Sequence, residues 1–317
     1  MRTSYLRRVA MLALLFSPLA SSVAMAQQWI RDEGSLTWKQ GDAVVWRFSF
    51  DKKFGKTYFD PVAVGSGPAF TNFKPADHPW HYGLWFSWKY INHVNYWEED
   101  RNTGQAAGYT RWTAPDIQTR ADGSATIKYD LSYAKPSGDV DMNEHRELTI
   151  SAPAKDGSYF IDWVMHFTAG KDGAILDRTA MPGEPNGAVN GGYAGLSGRL
   201  APMPYVMSIM TTEGPVTEFV KDRARPNAAA TAGNFSKDGQ DFGGIAFLSD
   251  APNISERAPW YIINTATDFR FICAAILAPA IRTLPAGGTW DLKYRVAMKG
   301  TAWTQDQLKD ALKAWNR

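Results

Sequence analysis

The 317-residue sequence contains a single cysteine, Cys273, and has almost no excess of charge of either sign. One cysteine cannot form an internal disulfide, and its apolar neighbours in 271–276 predict a small buried side chain without chemistry of its own. Lysine and arginine number 34 against 32 aspartates and glutamates, so the charge selects neither nucleic acid nor an anionic membrane. We therefore expect no nucleic-acid partner.

Several catalytic signatures are also missing. The sequence has no Gly-x-Ser-x-Gly nucleophile elbow, no glycine-rich phosphate loop, no dinucleotide-binding fingerprint and no cysteine-rich metal pattern. No stretch has the roughly 20 consecutive apolar residues of a membrane-spanning helix. The chemistry that remains is that of imidazole, carboxylate, guanidinium and phenol groups, in a chain expected to have no membrane span.

The first 26 residues predict a secretory signal peptide. Three arginines lie within the first eight positions, an apolar run covers 9–20, and small residues at 24–26 form a cleavage site. We therefore expect export, cleavage near Ala26 and a periplasmic protein. Residues 27–317 contain no low-complexity linker and no repeat, so they are expected to form a single β-sandwich domain.

Apolar residues occupy every second position in several segments, which predicts antiparallel strands with one polar face. The clearest cases cover 127–133, 159–167 and 290–298, and residues 36–50 predict a hairpin. Only 304–315 has helical spacing, and it begins with a capping-box sequence. The expected fold class is all-β, an antiparallel β-sandwich with a short C-terminal helix.

Residues 77–97 combine imidazole, indole and carboxamide groups at a density that a buried strand does not need. Three of the five histidines and four of the 13 tryptophans lie there. Aromatic faces beside polar groups are typical of a sugar-binding cleft, although the same rings would also pack a large β core. Proline after His78 disfavours a helix, so His78 and His81 are expected on a loop or bulge. The candidate substrate-binding residues in this segment are Trp80, Trp85, Trp88, Asn92 and Trp97.

A second polar cluster precedes a predicted strand at 148–150. Alternation places Glu144 and Arg146 on one face of that segment. Held by Arg146, Glu144 would stay ionised and suit a base or a ligand, whereas an apolar pocket would make it an acid. The alternative is an exposed, charged strand edge. Segment 180–204, rich in glycine, is expected to be an irregular loop that brings Tyr193 and Arg199 to a ligand or merely connects strands.

The motif His-Pro-x-His-x-Gly-Leu-Trp-Phe-x-Trp at 78–88, with Asn92 and Trp97 after it, resembles the signature of a bacterial family known as "methane oxygenase PmoA". Parts of 144–146, 191–199 and 284–295 extend the resemblance over nearly the whole chain after the signal. Trp80 and Tyr82 depart from it, because the family usually has histidine and arginine at those positions. The resemblance implies a β-sandwich similar to the galactose mutarotase supersandwich, a fold that mostly binds or transforms sugars. It does not imply a membrane-bound oxygenase subunit, since no segment is long enough to span a membrane.

Together these features predict a periplasmic enzyme that acts on a glycoside or oligosaccharide by acid/base chemistry, as a lyase, a hydrolase or an epimerase. The residues expected to carry the chemistry are His78, His81, Glu144 and Arg146 as catalytic groups, with Tyr193 and Arg199 binding an oxygen that gains charge.

Two other classes of protein remain open. A non-catalytic glycan-binding protein would use the same aromatic residues without proton transfer. A metalloprotein would hold a divalent metal on His78 and His81, completed by His93 or a carboxylate. No cofactor is firmly implied by the sequence, and the metal remains an open possibility.

Overall fold

The computed structural model describes residues 27–202, 204–249, 259–265 and 269–316. The predicted signal peptide at 1–26 lies outside these residues. The described chain consists of β-strands and turns, with one α-helix, α1 (Gln305–Trp315), near the C-terminus. No helix among these residues has the length and apolar composition needed to cross a membrane.

Three antiparallel sheets contain the strands of the described residues. The first large sheet has the order β1 (Gln27–Arg31), β2 (Ser35–Gln40), β3 (Ala43–Ser49), β4 (Tyr58–Val62), β5 (Leu84–Ser87), β14 (Gly195–Arg199), β21 (Arg270–Ala274), β20 (Trp260–Asn264) and β17 (Arg223–Ala224). The second has the order β16 (Gly214–Val216), β15 (Val206–Thr211), β18 (Ala230–Lys237), β19 (Gln240–Ser249), β23 (Thr289–Lys299), β12 (Tyr159–Ala169), β11 (Val140–Ile150), β10 (Ala125–Ala134) and β8 (Tyr109–Trp112), with β9 (Asp116–Thr119) also paired to β10. A small sheet contains β22 (Arg282–Leu284), β13 (Ala174–Asp177), β6 (Tyr90–Ile91) and β7 (Val94–Asn95).

The two large sheets face each other across a shared apolar core. The Phe59 and Trp163 rings, one from each sheet, lie 5.8 Å apart, and those of Phe86 and Phe167 lie 5.6 Å apart. In β10, β12 and β23 every second side chain is buried in this core, which confirms the predicted alternation. The predicted hairpin is also confirmed, because β2 pairs with β3. The predicted fold class, an antiparallel β-sandwich with a C-terminal helix, is confirmed.

The middle of the nine-stranded sheet is covered on both faces. Successive side chains of a strand point to opposite faces, so Leu84 and Phe86 of β5 enter the core between the sheets, while Trp85 points outward. On that outer side Trp85 joins a second buried cluster of aromatic residues. Its largest members are Tyr58, Tyr82, Trp85, Trp97, Tyr261 and Phe271. This second cluster forms the base on which the candidate site is built.

Segment 180–204 is not irregular throughout, because Gly195–Arg199 forms the central strand β14 between β5 and β21. Gly198 faces the opposite sheet, where a Cβ atom would lie 2.7 Å from the Phe247 ring. Glycine therefore allows the close approach of the two sheets here. On β21, Cys273 is fully buried, which confirms the prediction of a small buried side chain, and burial raises its thiol pKa to about 12.

Helix α1 packs on the outer face of the ten-stranded sheet. Leu308 is fully buried in an apolar cluster with Trp303 and small residues of β18 and β19. The predicted capping box is present, since the Thr304 side chain accepts from the Gln307 N–H and the Gln307 side chain accepts from the Thr304 N–H. The helix thus covers the outer face of the ten-stranded sheet, and no helix of the described residues covers the outer face of the nine-stranded sheet.

Candidate active site

A cavity of about 260 Å³ lies on the outer side of the nine-stranded sheet. Outward-facing residues of β20 and β21 form its base, and loops around 78–81, 97–98 and 190–193 form its walls. The residues that line it are His78, Trp80, His81, Trp97, Glu98, Asn190, Tyr193, Arg223, Tyr261, Ile263, Phe269 and Phe271. Five of the sequence-predicted site residues therefore meet in one cavity, namely His78, Trp80, His81, Trp97 and Tyr193.

His78 and His81 lie on the predicted loop, in two successive turns. The His78 N–H donates to the Pro75 carbonyl at 3.0 Å, and the His81 N–H donates to the His78 carbonyl at 2.9 Å. The two turns stack the imidazole rings, whose centroids lie 4.8 Å apart with an interplanar angle of 26°. Tyr82, next in sequence, points away from the cavity and donates to buried Glu99 at 2.8 Å.

His78 is oriented by a carboxylate. Its Nδ1 lies 3.0 Å from Asp77 Oδ2, and Arg199 Nη2 donates to both Asp77 oxygens at 3.0 and 2.9 Å. An ionised carboxylate only accepts, so Nδ1 carries the proton and Nε2 keeps its lone pair. Burial lowers the pKa of His78, with the opposing effect of Asp77 too small to reverse it. His78 is thus a neutral imidazole with a basic Nε2 at neutral pH.

His81 is held by rings rather than by a polar partner. Its side chain lies 5.1 Å from the Trp85 ring and stacks on Phe271 at 5.1 Å. Burial lowers its pKa well below 6.5, and the repulsion that a protonated His78 and the Arg199 charge would exert acts in the same direction. Its Nδ1 is buried and has no hydrogen-bond partner among the described residues, so a polar ligand group in the cavity would satisfy it.

Glu98 faces the cavity from the neighbouring loop and was not singled out from the sequence. Tyr193 donates its hydroxyl proton to Glu98 Oε1 at 2.5 Å, and Asn95 and Lys89 donate to Oε2. Burial works to raise the pKa of Glu98, but the Lys89 charge and these hydrogen bonds outweigh it, so the pKa is lowered. Glu98 therefore presents a carboxylate, and the Tyr193 hydroxyl, whose pKa burial and Glu98 raise, stays protonated.

The chain matches a known protein family over most of its length. The model of the family of unknown function DUF6807 matches residues 35–313. The chain belongs to the DUF6807 family. The match does not show the methane oxygenase label suggested by the sequence motif, and a search of curated proteins found no match.

The DUF6807 chain also resembles the crystal structure of a "putative aldose 1-epimerase" from Klebsiella pneumoniae. The sequence identity is 10%, the TM-score is 0.40, and the match covers 91% of this chain and 85% of the other. A similarity this weak supports no conclusion about the fold or the function of this chain. The fold class therefore rests on the strand order, and the site rests on its own geometry.

Two predicted residues support the cavity of the DUF6807 chain from beneath rather than lining it. Arg199 has a buried side chain, is paired with Asp77, and its guanidinium lies 4.1 Å from the centre of the Phe269 ring. Trp85 is fully buried under His81. Arg199 thus positions Asp77, and through it His78, instead of meeting a ligand oxygen.

Glu144 and Arg146, predicted as catalytic groups, lie outside the cavity. Both are buried between the two large sheets, where Arg146 donates to Glu144 at 2.5 and 2.8 Å and its guanidinium lies 5.5 Å from the Phe86 ring centre. Glu144 also accepts from Tyr133 at 2.6 Å. The nine-stranded sheet separates this ion pair from the cavity, because Phe86 and Trp85 point to its opposite faces. The alternative of an exposed strand edge is also wrong, since burial exceeds 97% at both residues.

Trp88 and Asn92 are structural too. Trp88 packs in the core on Phe167 and Trp290, with ring centroids 5.1 and 5.7 Å away. The Asn92 amide donates to Asp141 at 2.7 Å and accepts from the Ile175 N–H at 2.8 Å, which joins the small sheet to β11. These two residues were predicted to bind substrate, and neither reaches the cavity.

The metal site considered for the histidines does not assemble. His93 is exposed and does not line the cavity with His78 and His81. Across the described ranges, no group of three or more histidine, cysteine, aspartate or glutamate residues is arranged to hold a metal ion.

Proposed function

We propose that the cavity binds a saccharide and that the protein is a carbohydrate-active enzyme working by proton transfer. The observation that carries this proposal is the stacked His78–His81 pair in a cavity walled by indole and phenol rings. One histidine is a base oriented by Asp77, and the other is neutral and buried, with a ring nitrogen that has no hydrogen-bond partner among the described residues.

The cavity walls offer the two kinds of contact that sugars need. Trp80, Trp97 and Tyr193 supply aromatic faces for the apolar C–H surface of a pyranose ring. Glu98 supplies an ionised acceptor for hydroxyl groups. The volume of about 260 Å³ lies just below the usual range for drug-sized ligands, about 300–1,000 Å³, and suits one sugar ring with its substituents at the mouth.

His78 is the group best placed for proton transfer. Its Nε2 accepts a proton from a hydroxyl or an activated C–H of the substrate, and Asp77 stabilises the resulting imidazolium. Arg199 keeps Asp77 ionised, because its hydrogen bonds help to lower the pKa of that carboxyl against the effect of burial. The same proton then returns from Nε2 to the product.

The carboxylates favour a lyase or an epimerase over a hydrolase. Two-carboxylate glycoside hydrolysis places an acid and a second carboxylate on either side of the bond. Among the described residues that line the cavity, Glu98 is the one carboxylate, and Lys89 and Tyr193 keep it ionised rather than acidic. Proton removal by His78 and return to carbon or to the anomeric oxygen requires no second carboxylate.

The test compares wild-type protein with His78→Gln on a panel of monosaccharides and oligosaccharides. His145→Gln is the matched control, because His145 bonds Asp130 at 2.7 Å but lies on the outer face of the other sheet. NMR follows anomers and epimers, ultraviolet absorbance follows new double bonds, and mass spectrometry follows added water. We expect turnover to fall by roughly 10²-fold or more in His78→Gln and to persist in His145→Gln.

Full turnover by a folded His78→Gln protein would overturn the role of His78. Saturable sugar binding without product from any member of the panel would instead support the glycan-binding alternative. Export to the periplasm is part of the proposal and is tested separately, by fractionating cells that express the full-length chain.

A further inference from the structure

Arg223 brings a charge into the cavity that no described carboxylate neutralises. Glu98 pairs with Lys89, and Asp77 pairs with Arg199 at 2.9 Å. Arg223 forms no ion pair with a carboxylate of the described residues, although it lines the cavity. Counted over the described residues that line the cavity and their ion-pair partners, and with both histidines neutral, these groups carry a net positive charge at neutral pH.

A strained turn holds Arg223 at this position. Lys221 and Asp222 adopt positive φ angles of 50° and 64°, a region that glycine, asparagine and aspartate favour in β-turns and that lysine rarely adopts. Val220 and Arg223 close the turn through N–H to carbonyl bonds in both directions, at 2.8 and 3.1 Å. A residue such as Lys221 stays in this region only where the surrounding structure requires it.

One edge of the Arg223 guanidinium is left for a ligand. Its Nη1 donates to the Lys221 carbonyl, whereas its buried Nε has no partner in the described part of the chain. The Nε–Nη2 edge is one of the guanidinium edges that bind a carboxylate with two parallel hydrogen bonds. The turn therefore occupies Nη1 and leaves the Nε–Nη2 edge to bind a carboxylate.

Tyr261 adds a second donor next to this edge. Its hydroxyl is buried, which raises its pKa, and a hydrogen bond from the nearby Arg223 guanidinium opposes this rise. The hydroxyl proton itself has no acceptor among the described residues. Its ring lines the same cavity. In the described part of the chain the Tyr261 proton has no acceptor and the Arg223 charge has no counter-ion, and both call for an anionic acceptor on the ligand.

We infer that the saccharide is acidic, and that the carboxylate of a uronate residue binds Arg223 and the Tyr261 hydroxyl. This inference rests on the proposed saccharide function of the cavity. A planar monoanion matches the guanidinium edge. A phosphate dianion would need more positive charge than a single guanidinium, in a cavity that also contains Glu98.

The test measures binding of methyl glycosides that differ only at C6, in the gluco, galacto and manno series. Each uronate is compared by titration calorimetry with its neutral hexoside, and the matching 6-phosphate is the third probe. The proteins are wild type, Arg223→Gln, Arg223→Lys and Tyr261→Phe. Arg111→Gln is the control, because it removes an equal charge from an exposed residue of β8 that is not part of the cavity lining.

In wild type we expect at least one uronate to bind about tenfold or more tightly than its neutral partner, with an affinity that falls as salt is added. Arg223→Gln removes this preference, so that each uronate binds no more tightly than its neutral partner. Arg223→Lys keeps the charge without the two-bond edge and retains part of the preference. Arg111→Gln retains all of it.

Equal binding of uronates and neutral sugars by wild type would overturn this inference while leaving the saccharide proposal standing. An unchanged uronate preference in folded Arg223→Gln, or tighter binding of 6-phosphates than of uronates, would overturn it too. If no probe of any class binds to folded wild-type protein, both this inference and the proposed function fail.

Discussion

At the scale of single residues, the environment of His81 determines its chemistry. The imidazole lies against His78, Trp85 and Phe271, with 4% of its surface exposed, and its Nδ1 has no partner among the described residues. A protonated ring would lose its hydration there and gain no acceptor, so the neutral form is strongly favoured. His78 differs because Asp77 orients it. Two histidines three positions apart therefore have different roles.

The buried neutral state of His81 predicts a pH-dependent stability that a His81→Phe variant lacks. The pKa of His81 lies well below 6.5 in the folded protein and near 6.5 when unfolded, so the unfolded state binds more protons as pH falls below 6.5. The free energy of unfolding should then fall by up to about 1.4 kcal/mol per pH unit from this residue alone. Phenylalanine keeps the ring stack and does not titrate.

Urea unfolding of both proteins, from about pH 7 to about pH 5, measures the difference between their slopes. A smaller slope for His81→Phe is the expected result. Parallel curves would show that His81 is protonated in the folded state as readily as in the unfolded state.

At the scale of the strand, β11 shows how one alternation produces two different pairs of charges. Glu144 and Arg146 point into the core and bind each other, whereas His145 and Glu147 point outward. Glu147 pairs with Lys128 at 2.8 Å, with about a third or more of each side chain exposed. The inward pair is removed from water and the outward pair is not, so equal substitutions on the two faces should have unequal costs.

We predict that Glu144→Gln lowers the free energy of unfolding by about 3–5 kcal/mol, because it leaves the Arg146 charge buried without its counter-ion. Glu147→Gln, the control on the same strand, should cost less than about 1 kcal/mol. Denaturant titration followed by tryptophan fluorescence gives both values. Similar costs for the two variants would contradict the burial of the Glu144–Arg146 pair.

The sequence predicted strands well where one face of the sheet is polar, and poorly where both faces are covered. In β12 the alternation of Trp163 and Met165 with Asp162 was readable, because one face is core and the other is exposed or half-buried. All five residues of β14 are buried, and its two glycines carry no side-chain signal. Covered strands lose their alternation, so the sequence predicts a loop rather than a strand over 195–199.

The candidate site was predictable only in part, for a related reason. A dense run of histidine and tryptophan identified a loop that lines the cavity. Within that run, however, Trp85 and Trp88 are buried away from the cavity and His93 is exposed, and composition does not distinguish these positions from the lining ones. Glu98 and Glu99 are adjacent and chemically alike in the sequence. Glu98 faces the cavity, whereas Glu99 is buried against Lys56 at 2.7 Å. Arg223 lies in a distant strand, and no local pattern linked it to the histidines.

At the scale of the whole molecule, the two outer faces of the sandwich are covered by different parts of the chain. The outer face of the nine-stranded sheet carries the cavity, and that of the ten-stranded sheet carries α1. The shared core lies between the two sheets. No side chain of α1 lines the cavity, so the helix contributes to stability without forming part of the candidate site. Stability and ligand affinity should therefore be separable by substitutions on the helix side.

Leu308→Ala tests this separation. Removing a fully buried leucine from the contact between α1 and the sheet should lower the free energy of unfolding by about 2 kcal/mol or more. Lys309→Ala, at the exposed next position, is the control and should change it by less than about 0.5 kcal/mol. Sugar affinity, measured well below the unfolding transition, should stay within about twofold of wild type in both variants. A loss of affinity in folded Leu308→Ala would mean that the helix side of the sandwich is coupled to the cavity through the core, and the two faces would then form one cooperative unit.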